Sequence, residues 1–135
     1  LMSKHWARLR AFLDEARGWA GQMPHFLLPL PPPRPAFPAD ATVAEMDAMA
    51  AHGAFWQGEA DRGVALAVGP VADPSGIWGM ALVEVQDQDA ADRLAAQDPV
   101  IVAGLGFAYE VMPILSLIQR RVAGPAAVAS PPADS

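Results

Sequence analysis

Cysteine is absent from the 135 residues, which excludes disulfides, thiolate nucleophiles and Cys-ligated zinc or iron–sulfur sites. Charge is also scarce, at 18% of residues against ~25% in an average domain. What charge there is leans acidic, with 9 basic and 15 acidic residues for a net −6 and no Lys/Arg cluster. That balance argues against nucleic acid and against an anionic membrane surface as partners. No apolar run approaches the ~18–20 residues of a membrane-spanning helix. The three histidines, His5, His25 and His52, form neither His-x-His nor His-x-x-x-His, so no metal site is expected. Gly63, Gly69, Gly76 and Gly79 fit turns and strand ends rather than a phosphate loop, and no nucleotide or other cofactor is expected. The chain has one domain's length, and its 53% apolar content is inflated by 28 alanines. These absences leave a small cytoplasmic α+β or α/β domain and do not yet name a reaction.

Texture divides the chain into three parts. Residues 1–22 read as an appendage: Ser3 is a usable N-cap, and Trp6, Leu9, Leu13, Ala16 and Ala20 recur at helical spacing. Lys4, Arg8 and Arg10 resemble a signal n-region, but Asp14, Glu15 and Arg17 interrupt the apolar run that a secretory signal requires. The folded module is expected over 23–115. Residues 116–135 read as a tail, mostly disordered, because the Ala-, Pro- and Ser-rich stretch from Gly124 buries too little to offset its ordering entropy.

Within the module, His25–Leu30 is a short strand candidate, with Pro29 pointing to an edge position or an early end. Seven of the fourteen prolines then crowd positions 24–38. Thr42-Val43-Ala44-Glu45 is a capping-box pattern that predicts a helix to about Ala60, with Met46, Met49, Ala50, Gly53 and Trp56 or Gln57 as its core stripe. Val64–Val68 and Ile77–Val85 read as strands joined by the turn-rich segment 69–76. A second helix is expected over Gln88–Gln97, capped by Asp87, with Ala91, Leu94 and Ala95 inward and Asp98-Pro99 as its stop. One helical turn over Val100–Leu105 leads to a last strand at Phe107–Met112. The fold class is therefore α+β, with the ferredoxin-like order β-α-β-β-α-β. Both faces of Ile77–Val85 are apolar, whereas two helices cover one face of a four-stranded sheet. A second copy over the open face is expected, giving a homodimer; a leader helix or C-terminal segment over that face is the alternative.

Several motifs in order carry a family resemblance. They are Phe26-Leu27-Leu28, then Pro32-Pro33-Arg34-Pro35, then His52 with Phe55-Trp56. Gly69-Pro70-Val71-Ala72-Asp73-Pro74 follows seventeen residues after His52, and Trp78-Gly79 comes next. Asp98-Pro99 precedes Ala103-Gly104, and Tyr109-Glu110 and Met112-Pro113 close the series. From Met23 to Pro113 the chain resembles the YCII-related (YciI-like) family of the dimeric α/β barrel superfamily. The resemblance implies sheet-to-sheet pairing and an active pair made of a helix histidine and an aspartate of the Gly-Pro-x-x-Asp loop, here His52 and Asp73.

Those residue types suit acid–base chemistry on their own account. An imidazole exchanges protons both ways near neutral pH, and a fixed carboxylate can hold its tautomer. Ser75 is a turn residue, which leaves proton abstraction with elimination or isomerisation as the natural chemistry. Each residue also has a plainer role: His52 as a surface or satisfied side chain, and Asp73 as a turn cap. Arg34 could grip a carboxylate or remain a solvated loop charge, while Trp56 and Trp78 could wall a substrate pocket or fill the core. The expected function is a cofactor-free His/Asp enzyme of the lyase or isomerase type. Its substrate would be a small cyclic or aromatic organic acid, with dehydrochlorination among the reactions the resemblance implies. The alternative is a non-catalytic dimeric module that binds a small ligand or a partner.

Overall fold

The computed structural model describes residues 4–19 and 23–120. Helix α1 (Lys4–Trp19) is followed by β1 (His25–Leu30), α2 (Val43–Asp61), β2 (Ala65–Val71), β3 (Trp78–Glu84), α3 (Gln88–Gln97), the short α4 (Pro99–Val102) and β4 (Met112–Ile114). The segment from Gly124 that was expected to be disordered lies outside the described residues. No helix among the described residues is long and apolar enough to cross a membrane.

The four strands form one antiparallel sheet in the order β2-β3-β1-β4. This is the ferredoxin-like arrangement, with β3 inserted between the parallel strands β1 and β2. Strand β1 is central, not an edge. Pro29 is tolerated there because it sits opposite Met80, beyond the three-residue pairing of β1 with β4. At that level Glu110 donates its backbone N–H to the Pro29 carbonyl instead.

Register assigns the two faces. Phe26 opposes Val83, Val83 opposes Ala65, and Leu28 opposes Ala81, and these five residues are buried beneath the helices. With Trp56 of α2 and Ala91, Leu94 and Ala95 of α3 they form the main core. The opposite face carries a row of Ala67, Leu82, Leu27 and Met112, one from each strand, and a second row of Met80 and Pro29. The expected division of β3 into two apolar faces is therefore present, with Ala81 and Val83 in the core and Met80 and Leu82 on the open face.

Helix α2 begins as its capping box dictates. Thr42 Oγ1 accepts from the Glu45 N–H, and the Glu45 carboxylate accepts from the Thr42 N–H. Thr42→Ala is expected to cost about 1 kcal/mol, measured as a lower urea midpoint with an unchanged slope. The expected core stripe of α2 is met at Trp56 but not at Met46: the buried residues are Glu45, Ala48, Trp56 and Glu59, while Met46 is 61% exposed. Met46, Gly53 and Gln57 line a cavity, and Met49 both lines it and packs against the core cluster of Leu30, Phe37, Ala48, Val100 and Phe107.

The last strand also differs from expectation. It is expected over Phe107–Met112, yet pairing is confined to Met112–Ile114. Gly104 (φ 67°) and Gly106 (φ 92°) turn the chain out of α4. The extended residues that follow press Phe107 and Tyr109 against the core clusters before the ladder begins.

Candidate active site

Three elements converge beneath the loop of residues 31–41. On α2, His52 and Trp56 are four residues apart and so share a helix face. Between α3 and α4 stands Asp98. Pro99 disfavours helical backbone at the residue before it, and Asp98 accordingly takes φ −61°, ψ 130°, ending α3 and capping α4. Its Oδ1 accepts from the Val100 N–H at 3.1 Å, which fixes the carboxylate. After α4, the extended segment brings in Tyr109, the chain's one tyrosine.

All three side chains meet at one oxygen. His52 Nδ1–H donates to Asp98 Oδ2 at 2.7 Å, Trp56 Nε1–H donates to the same oxygen at 2.9 Å, and the Tyr109 hydroxyl donates to it as well. Trp56 Nε1–H is shared with the Tyr109 oxygen, also at 2.9 Å. Asp98 is 0% exposed. Burial pushes its carboxyl up, but the hydrogen bonds from His52, Tyr109, Val100 and Trp56 outweigh burial and hold it below the ordinary carboxylate range. Burial, reinforced by the Asp98 charge, pushes the Tyr109 phenol well above its ordinary value, so it stays a neutral donor.

An ionised carboxylate only accepts, so the contact assigns the imidazole proton to Nδ1 and leaves the Nε2 lone pair available. Nε2 has no hydrogen-bond partner among the described residues, and His52 lines a cavity of about 640 Å³. The cavity lies between α2 and the β2–β3 end of the sheet, roofed by Pro31, Pro32, Phe37 and Pro38. Trp56, Trp78, Phe107 and Tyr109 contribute aromatic wall. Among the described residues, no group of three His, Asp or Glu side chains stands close enough to hold a metal ion.

The expected site residues are thus only partly assembled. His52, Trp56 and Trp78 all line the cavity. Asp73 does not bond to His52. Its Oδ1 accepts from the Ser75 N–H at 2.8 Å and its Oδ2 from Trp78 Nε1–H at 3.2 Å, so the Pro70–Pro74 bracket makes a turn and steadies Trp78. The Ser75 N–H, aided by Trp78 and opposed by burial, holds the Asp73 carboxyl below its usual value. The imidazole partner is Asp98, because the residue before Pro99 is buried beside α2 whereas Asp73 lies on the hairpin.

Arg34 lies outside the cavity lining. It donates from Nε to Asp40 at 2.8 Å and from both terminal nitrogens to Glu45 at 2.7 and 2.6 Å, tying the proline loop to the start of α2. The Glu45 carboxyl is held down at about 2, chiefly by Arg34 and then by the Thr42 N–H. In the sequence Asp98 reads as part of the Asp-Pro helix stop, and Tyr109 stands only within the Tyr109-Glu110 motif of the resemblance. A carboxylate directly before a proline at a junction of two helices is the signal that could have found the first.

No curated protein and no solved structure matches the chain. A family model described as the YCII-related domain matches residues 36–115. The matched span begins after β1, which nevertheless forms the middle of the sheet, and it contains His52, Trp56, Asp98 and Tyr109. Fold, matched span and the motif order from Pro32 to Pro113 agree, and the chain belongs to the YCII-related domain family.

Proposed function

We propose that this chain is an acid–base enzyme of the lyase or isomerase type, with His52 as general base and Asp98 as the carboxylate that orients it. The observation that carries this reading is the 2.7 Å contact between His52 Nδ1 and the fully buried Asp98 beside a cavity of about 640 Å³. His52 Nε2 takes a proton from a substrate C–H or O–H, and Asp98 stabilises the imidazolium that forms. The proton then returns to a different substrate atom in an isomerisation. In an elimination it remains on the imidazole while an adjacent leaving group departs with its electron pair. Trp56 and Tyr109 act through Asp98 as positioning residues. Turnover of small ring compounds with an acidic C–H or a halide leaving group tests the reading: the wild type consumes one of them and His52→Ala does not. The aromatic and aliphatic lining also suits a non-catalytic binding module. Under that second reading His52→Ala and wild type behave alike.

The same proposal includes a homodimer through the open sheet face. Its support is the row of Ala67, Leu82, Leu27 and Met112, with Met112 42% exposed. Leu82→Glu, on the open face of β3 and outside the cavity lining, is expected to dissociate the pair by burying an unpaired charge, at a cost of about 3–5 kcal/mol. Sedimentation velocity at micromolar concentration checks this. A wild type that sediments only as a monomer overturns the dimer.

A further inference from the structure

We propose that the His52 cavity selects uncharged, ring-sized ligands and rejects carboxylates, which narrows the small organic acid expected from the sequence to its uncharged relatives. The inference rests on the reading that this cavity is where the ligand binds.

Its volume, about 640 Å³, lies within the ~300–1,000 Å³ of small-molecule sites. Among the described lining residues there is no Lys, Arg, Asp or Glu, and the two ionisable ones are His52 and Tyr109. Three features nearby could have met an anion, and each is already engaged. The Arg34 guanidinium is shared between Asp40 and Glu45, with a further bond to the Asp40 carbonyl at 3.0 Å. The start of α2, next to the lining residue Ala41, is closed by its own capping box, which places the Glu45 carboxylate there. The Tyr109 hydroxyl already donates to Asp98. A neutral His52 offers Nε2 as an acceptor, which suits a ligand O–H or N–H and not a carboxylate. A carboxylate in this cavity would therefore lose its hydration without gaining a charged partner, and the lining amide of Gln57 already gives an N–H to Asp61 at 2.9 Å. The chain's net charge of −6 adds a weaker, salt-screened repulsion in the same direction.

The test compares naphthalene-2-carboxamide with naphthalene-2-carboxylate, two ligands of one shape that differ in charge. Binding is measured by calorimetry at pH 8, above the ordinary imidazole range, in 0.15 M salt. The amide is expected to bind at least about tenfold more tightly, a difference set by the unpaired charge. Met46→Arg places a cation at the exposed end of the lining, since Met46 is 61% exposed. This variant is expected to bring the two affinities to within about threefold through a charge-assisted contact. His52→Ala is expected to narrow the discrimination by removing the Nε2 acceptor while leaving the amide the tighter ligand, and because binding is read without turnover, a failed turnover assay and a failed selectivity assay remain separate results. Equal affinity of wild type for the two ligands overturns the inference, as does an absence of saturable binding by either.

Discussion

Replacement of His52 by alanine is expected to lower turnover by on the order of 10²–10⁴-fold, the contribution of a positioned general base. Asp98→Asn is expected to fall in the same range while leaving the protein folded. An asparagine of the same shape can still accept from Val100 N–H, but it cannot balance an imidazolium, and its amide can present a donor to Nδ1 and force the proton to Nε2. The double variant is expected to be little worse than the poorer single one, because the two residues act as a unit. Asp73→Asn supplies the contrast. Its carboxylate caps a turn and accepts from Trp78, so a change within about threefold of wild type is expected from a residue that does not touch the base. Steady-state kinetics on the four proteins read the outcome. A large loss in Asp73→Asn with full activity in Asp98→Asn would return the orienting role to the hairpin.

The second large effect is on stability. Asp98→Ala is expected to destabilise the fold by about 3–5 kcal/mol, since it strands several buried donors at once and each unsatisfied group costs ~1–3 kcal/mol. His52 Nδ1, the Tyr109 hydroxyl and the Val100 N–H lose their acceptor, Trp56 Nε1 keeps only the Tyr109 oxygen, and α4 loses its N-cap. That is a large share of the ~5–15 kcal/mol that holds a typical domain together. A urea midpoint indistinguishable from wild type would contradict it. The same cluster gives the pH dependence a definite sign. The Asp98 carboxyl titrates lower in the folded chain than in the unfolded one, so its contribution is present above the ordinary value near ~3.9 and lost as pH falls through the folded value. The Tyr109 phenol titrates higher when folded, so its contribution is present below ~10 and lost as pH rises beyond that. Asp98→Asn should therefore flatten the acid limb of the stability profile and weaken the alkaline limb without abolishing it, because Tyr109 stays buried but loses the Asp98 charge.

How much of this was legible in the sequence follows from the range of the interactions involved. The Thr42–Glu45 box is local, four residues that satisfy one another, and the structure starts α2 there. The inward residues of α3 follow from a helical period, and Ala91, Leu94 and Ala95 are the ones buried. The stripe on α2 was harder because periodicity identifies a shared face without saying what fills the space before it. Met46 and Met49 face a cavity, where apolar spacing looks the same as in a core. The last strand was placed too early because Phe107, Tyr109 and Val111 alternate as a strand does, while their burial comes from packing rather than from a ladder. His52 stood out by its chemistry. Its partner did not, because the His52–Asp98 contact spans 46 residues of chain and depends on the angle at which α4 leaves α3. Asp73, nearer in sequence and bracketed by prolines, offered a local explanation that the tertiary contact displaces.

Asp98 fixes the His52 proton on Nδ1 and leaves Nε2 free toward the cavity. Long-range ¹⁵N–¹H correlation spectra of the imidazole rings measure this directly, without a substrate, at a pH where the ring is neutral. The wild type is expected to show the Nδ1–H tautomer for His52, with that preference lost in Asp98→Asn but not in Asp73→Asn. A His52 ring protonated on Nε2, or one whose spectrum is unchanged by Asp98→Asn, would contradict it.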